Sequence, residues 1–278
     1  MSSRLRPSMR DGRGRITEMF AAARTEDRAV LLPYLTAGIP TIDDSVAIFE
    51  AMADAGADGF EVGIPYADPL MDGPVIMEAG SQALRSGVTV DVALEVVRAV
   101  VERTGLPILV MTYVNPVLRH GVDSFLAKVD GAGGSGVILA DLPPDESRPF
   151  VEAANRLGLG MVQFAAPTTG QDRLERMAEL DPVFVYGIAE IGVTGERSGS
   201  SSNLEALSRA VRSVTDAPLV FGVGISTAEQ AGAAAAVGDG VIVGSAIVRR
   251  VLEAADPDAA RTEVADLVRG LANAVRRG

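Results

Sequence analysis

Glu61 and Asp72 are the residues whose types and placement point first to chemistry. Both lie in GFEVGIPYADPLMDGP, residues 59–74. Glu61 alternates with Phe60 and Val62 in a run too apolar to be a surface, so its side chain points into the structure or its mouth and is partly desolvated. Desolvation pushes a carboxyl pKa up toward neutrality, where the group can both donate and accept a proton. The loop that follows carries Pro65, Pro69, Gly73 and Pro74, which restrict the backbone while leaving Asp68 and Asp72 able to reach a ligand. A stiff loop beside a half-buried acid reads as the mouth of an active site.

Something must hold that loop, and the rest of the chain supplies a regular frame. Short β-branched or apolar runs alternate with longer Ala-rich helical segments to the end, the pattern of repeated βα units. Strands are expected near Val30–Thr36, Gly59–Gly63, Pro107–Thr112, Gly136–Ala140, Gly160–Phe164, Phe184–Gly187, Leu219–Val223 and Gly240–Gly244. Helices are expected near Ile42–Ala55, Val90–Thr104, Val122–Val129, Asp145–Leu157, Gln171–Leu180, Asn203–Val214, Thr227–Val237 and Arg261–Arg276. Extra helices fall near Gln82 and after the eighth strand. Eight such units over about 250 residues predict a single (β/α)8 TIM barrel, whereas a doubly wound open sheet would be shorter and less evenly repeated. The barrel catalytic domain is assigned to 15–278. Residues 1–14, basic and Gly-containing without an apolar signal core, read as a disordered extension. Residues 189–202, rich in Gly and Ser after the sixth strand, are a candidate flexible lid.

In such a barrel chemistry sits on the loops at the C-terminal strand ends. Glu61 closes the second strand, Tyr113 and Asn115 follow the third, Asp141 ends the fourth and Tyr186 the sixth. Gly222, Gly224 and Ile225-Ser226 lead into a helix after the seventh strand, and Gly244-Ser245-Ala246 into a short helix after the eighth. Backbone N–H groups at glycine turns and a helix N-terminus can hold a phosphate without a cationic side chain, although the same glycines also suit tight βα turns. GAGGSG at 131–136 fits a dinucleotide fingerprint as a string, but it follows a helix and opens a strand, so it reads as a helix end and loop.

Composition narrows the chemistry further. Lys and Arg total 25 against 37 Asp and Glu, a formal net charge of −12, which argues against a nucleic-acid surface. There is no cysteine and a single histidine, His120, before Gly121 at a probable turn. A thiol nucleophile, a His-based triad and a metal site are therefore disfavoured, and carboxylates remain for proton transfer. A glycosidase cleft would want aromatics that stack on sugars, but aromatics are 4% with no Trp. No run approaches the roughly 18 apolar residues of a membrane span, and the cytoplasm is the expected location.

PYLTAGIPT, GFEVGIPYADPLMDGP, MTYVNP, GVTG, GVGIST and VGSAIV, in that order from about Ile16 to Leu252, resemble the tryptophan synthase alpha subunit family. The resemblance implies a lyase that cleaves indole-3-glycerol phosphate to indole and glyceraldehyde 3-phosphate, a retro-aldol reaction in tryptophan biosynthesis. It implies Glu61 and Asp72 as catalytic residues. Tyr113 and Tyr186 would line the indole pocket, Gly195, Gly224, Gly244 and Ser245 would hold the phosphate, and Thr194 would be the lid threonine. No cofactor or metal is implied in this chain; pyridoxal phosphate is expected only in a partner beta subunit, within an α2β2 heterotetramer. Two departures stand out. Glu190 lies in a segment that is Ser-Arg-Ser-like in many relatives, and Ile39 stands where Asp is common, both expected on the side where the beta subunit would dock. A free-standing lyase that releases indole, or a non-catalytic barrel subunit, are the alternatives.

Overall fold

Strands covered on both faces must be apolar on both faces, and the strands of this chain are so along nearly their whole length. In the computed structural model, which describes residues 11–188, 199–222 and 224–277, they are β1 (Val30–Thr36), β2 (Phe60–Gly63), β3 (Ile108–Thr112), β4 (Gly136–Leu139), β5 (Gly160–Ala165), β6 (Phe184–Gly187), β7 (Leu219–Phe221) and β8 (Gly240–Val243). They pair in parallel and in sequence order, and β8 returns to β1 to close the barrel. The expected strands therefore all form, with ends that differ by at most a couple of residues.

The helices are α1 (Gly12–Thr25), α2 (Ile42–Asp54), α3 (Pro74–Arg85), α4 (Val90–Thr104), α5 (Val114–His120), α6 (Val122–Gly131), α7 (Pro144–Arg156), α8 (Gln171–Ala178), α9 (Gly199–Arg212), α10 (Ala228–Val237), α11 (Ser245–Glu253) and α12 (Pro257–Ala274). Their starts are written locally. Thr41, Thr89 and Asp256 accept hydrogen bonds from first-turn amides of α2, α4 and α12, and Pro74 and Pro144 open α3 and α7, where a missing N–H costs nothing. Among the described residues no helix is long and apolar enough to cross a membrane.

Three expectations need correction. Gly12, Arg13 and Gly14 belong to α1, not to an extension. Gly12 has no room for a Cβ against the Ser135 backbone, Arg13 N–H donates to Gly158 O at 2.8 Å, and the Arg15 guanidinium reaches the carbonyls of Gly133, Gly105 and Leu106 at 3.2, 2.9 and 2.9 Å. These partners precede β3, β4 and β5, so α1 covers the N-terminal end of the barrel. Second, α5 was not anticipated, because its seven residues are too few to show a period. Third, Ile39 is fully buried, so it presents nothing to a docking partner; the hydrophobe is explained by packing. Residue 190 lies outside the described residues. The GAGGSG string is the end of α6 and the turn into β4, with Gly133 at φ +84°, as read.

At the same N-terminal end Arg28 forms a bidentate pair with Asp58, both bonds 2.7 Å, and Asp58 also accepts the Leu31 N–H at 2.8 Å. The two side chains are 14% and 13% exposed. Removing Asp58 leaves the largely buried Arg28 with only the exposed Glu26, 2.7 Å from its Nε, and leaves a strand amide unpaired. Asp58→Ala is therefore expected to lower stability by about 3 kcal/mol, read as a fall in the urea midpoint with the slope unchanged.

Candidate active site

The closed barrel puts Glu61 beside Tyr34 of β1 and Leu109 of β3 in register. Its side chain, 3% exposed, turns inward to the floor of a cavity of about 500 Å³ at the C-terminal strand ends, a volume suited to a small organic ligand. One carboxyl oxygen, Oε2, is buried with no hydrogen-bond partner. Burial, and second the nearby Asp72, raise the Glu61 pKa to about 8. The group is therefore mostly protonated at neutral pH yet able to release its proton within a pH unit or so, the poise required of an acid–base shuttle.

Asp72 comes from the β2–α3 loop and also lines the cavity. Burial raises its pKa, and a hydrogen bond from the Tyr113 hydroxyl opposes that rise. The same hydroxyl accepts the Met71 N–H at 3.2 Å. Tyr66 stacks on Tyr113 with ring centroids 5.2 Å apart and receives a hydrogen bond from Asn115 Nδ2 at 2.8 Å. A turn closed by Asp72 N–H to Pro69 O at 3.0 Å completes the arrangement. The loop is thus clamped onto the start of α5, which is in turn capped by Asp141 Oδ1 on Val114 N–H at 2.7 Å. Tyr113, itself buried, holds both the loop and Asp72 through its hydroxyl. Asp68 is exposed and does not reach the cavity.

Between the acids and the β7–β8 side the lining is apolar and aromatic. Phe164 and Tyr186 are register neighbours on β5 and β6 with centroids 5.1 Å apart, and Met111, Ile138, Ile76 and Ile188 complete the wall. Tyr34 closes the floor, its hydroxyl 3.1 Å from Thr36 Oγ1. Two glycines make room for the tyrosines: a Cβ at Gly63 would collide with the Tyr34 hydroxyl, and one at Gly222 with that of Tyr186. Sequence reasoning gave no role to Tyr34 or Phe164, although each occupies an inward position of an alternating strand and could have been found from that alone.

The far end of the cavity is polar through its backbone. Gly224, Ser226, Gly244 and Ser245 line it, and among the described residues no lysine or arginine does. The two helix starts differ. At α10, Gln230 Oε1 accepts Ser226 N–H, Ser226 Oγ and Thr227 N–H at 2.8, 3.0 and 3.2 Å, within a capping box with Thr227. At α11, Gly244 precedes Ser245 with no side-chain cap. The open helix end facing the cavity is therefore that of α11, and Gly224, at φ +78°, turns the opposing loop toward it. Gly195 and Thr194 lie outside the described residues. His120 sits in the last turn of α5 with Nδ1 2.9 Å from Pro116 O, remote from this lining. Among the described residues no group of three or more His, Asp or Glu could hold a metal ion.

Comparison with known proteins decides the family. A model of the tryptophan synthase alpha chain matches residues 20–276. The chain belongs to the tryptophan synthase alpha chain family. Alpha chains of Streptomyces coelicolor and Salinispora tropica are 44% and 45% identical, each match covering 94% of this chain and 96% and 98% of the relative. The fold superposes on a solved structure of Mycobacterium tuberculosis tryptophan synthase with a TM-score of 0.85 at 39% identity, over 95% of this chain and 99% of that one. The matches thus run over nearly the full length of these relatives.

A carboxyl kept protonated by its surroundings costs stability once pH forces it to ionise. The folded pKa of Glu61, about 8, exceeds its ordinary 4.5, so between those values the folded state holds a proton that the unfolded chain has released. Stability therefore falls as pH rises through that window. Glu61→Gln, neutral throughout, is expected to exceed the wild type by a few kcal/mol above pH 8, with the difference vanishing near pH 4.5. Urea unfolding across this range checks it; a difference independent of pH would refute the assignment of the buried proton.

Proposed function

We propose that Glu61 is the proton shuttle and Asp72 the charge-stabilising carboxylate of the family's reaction, the retro-aldol cleavage of indole-3-glycerol phosphate to indole and glyceraldehyde 3-phosphate. The observation that carries this reading is the buried Glu61 carboxyl, its Oε2 without a hydrogen-bond partner, sharing one aromatic-walled cavity with Asp72. Cleavage requires that indole C3 gain a proton, that the hydroxyl on the adjacent glycerol carbon lose one, and that the cationic ring nitrogen be stabilised meanwhile. The protonated Glu61 delivers its proton to C3, and the resulting carboxylate takes the hydroxyl proton as the carbon–carbon bond breaks and the aldehyde forms. Protons balance, and Glu61 ends as it began. Asp72 accepts the hydrogen bond of the ring N–H, an interaction that strengthens as the nitrogen turns cationic and so favours the transition state over the bound substrate.

The remaining residues bind. Phe164, Tyr186 and the aliphatic wall enclose the ring. The phosphate is assigned to the amides of Gly224, Gly244 and Ser245, with Gly195 as a further donor on the family pattern and Thr194 as the lid residue. Backbone donors at the uncapped start of α11 suit a chain with a net charge of −12 whose described residues place no cationic side chain in this cavity. The beta subunit is the partner, and pyridoxal phosphate is assigned to it. Leu70 and Leu118, exposed at the cavity end of the barrel, are apolar groups that a docked subunit would cover.

Indole release from indole-3-glycerol phosphate by the purified chain tests the reading, measured alone and with a tryptophan synthase beta subunit. Release that rises strongly with the partner is expected; fast release indifferent to it would make the chain a free-standing lyase, and none in either case would overturn catalysis. In the same assay Glu61→Gln is expected to bind substrate and abolish turnover. Asp72→Asn is expected to lower turnover by about three orders of magnitude, as loss of a transition-state charge partner does. A near wild-type rate in either variant would sink its role.

A further inference from the structure

A chain with no cysteine has only thioethers as sulfur nucleophiles, and their susceptibility follows exposure. Of the described methionines, Met19, Met52, Met161 and Met177 are buried. Met111 is half-buried in the cavity wall. Met71 is 59% exposed and Met77 43%. Of these, only Met71 is both open to solvent in the chain free of its partner and part of the cavity lining. It also lies inside the turn closed by Asp72 N–H on Pro69 O, and its own N–H is held by the Tyr113 hydroxyl that bonds to Asp72.

We propose that Met71 is an oxidation site through which peroxide turns the cavity off. The thioether sulfur attacks one peroxide oxygen, the O–O bond breaks and water leaves; sulfur is oxidised to the sulfoxide and the peroxide is reduced. The product replaces an apolar group of the cavity mouth by a polar S=O one residue from Asp72. A sulfoxide oxygen is a hydrogen-bond acceptor, so it repels the Asp72 carboxylate and draws water to the end of the cavity that must be dry for the ring. Methionine sulfoxide is reducible enzymatically, so the loss is reversible. Met77, on the outer side of α3 and outside the lining, undergoes the same chemistry without this consequence.

The effect on turnover rests on the role given to Asp72 above; the site of oxidation does not. The full-length chain is treated with dilute hydrogen peroxide, peptides are mapped by mass spectrometry, and indole release is compared with each protein's own untreated rate for wild type, Met71→Leu and Met77→Leu. Oxygen is expected on both the Met71 and Met77 peptides, with about a tenfold loss of rate in wild type and Met77→Leu and little in Met71→Leu. An unmodified Met71 peptide, an oxidised chain of undiminished rate, or equal loss in Met71→Leu would each overturn the proposal. Should the untreated chain release no indole, the functional reading fails by itself. Met71 is then tested by binding of indole, read from its own emission because the chain has no Trp. Peroxide should weaken that binding in wild type and not in Met71→Leu, and equal weakening in both would overturn the proposal.

Discussion

A carboxylic acid can keep its proton at neutral pH only where water is excluded and no cation or donor is allowed to stabilise its anion. Glu61 meets that condition because β2 is enclosed between β1 and β3 in a closed sheet and its Oε2 has no partner. Everything else in the site accommodates this constraint. Tyr34 and Tyr186 fill the interior around the acid, Gly63 and Gly222 give up side chains to make room for them, and Asp72, the other carboxylate among the described lining residues, raises the Glu61 pKa further. An isolated buried carboxyl is unfavourable for the fold, and the apolar, fully buried strands around it are what make that tolerable.

The two acids differ because their supports differ. Glu61 is on a strand and shares its rigidity. Asp72 is on a loop, and its position depends on contacts contributed from β3 onward: Tyr113 on both Asp72 and Met71, Asn115 on Tyr66, and Asp141 at the start of α5. A hydroxyl that donates to Asp72 favours its ionised form, while Glu61 has no such donor. The proposed division of labour, one acid shuttling a proton and the other holding charge, calls for unlike surroundings of this kind.

The substrate end follows another logic. With a strongly acidic composition, a phosphate site made of arginines would have to be assembled against the field of the chain, whereas amides at a helix start are dipoles fixed by the fold. That α10 is capped by its own Gln230 and α11 is left open directs this capacity to one of two similar turns.

Local order was legible in the chain because its causes are local. Apolar runs of strand length, Thr and Asp caps and helix-opening prolines mark the alternating units, and eight of them leave few architectures but a barrel. Glu61 was legible for the same reason, an acid inside an apolar strand. Helix α1 was less so, because its hold on the barrel depends on carbonyls before β3, β4 and β5 that a sequence window cannot see, and α5 is too short to carry a period. Ile39 looked like a surface departure until packing showed it buried. The chain read alone determined which residues are acids and which stretches are strands and helices, and it led to the expectation that carboxylates carry the proton chemistry. Only the tertiary structure decided that Glu61 Oε2 lacks a hydrogen-bond partner, that the Tyr113 hydroxyl bonds to Asp72, and that Tyr34 and Phe164 face the site. Desolvation and hydrogen bonding are properties of what surrounds a side chain, and in this barrel the surroundings come from strands and loops far apart in the chain.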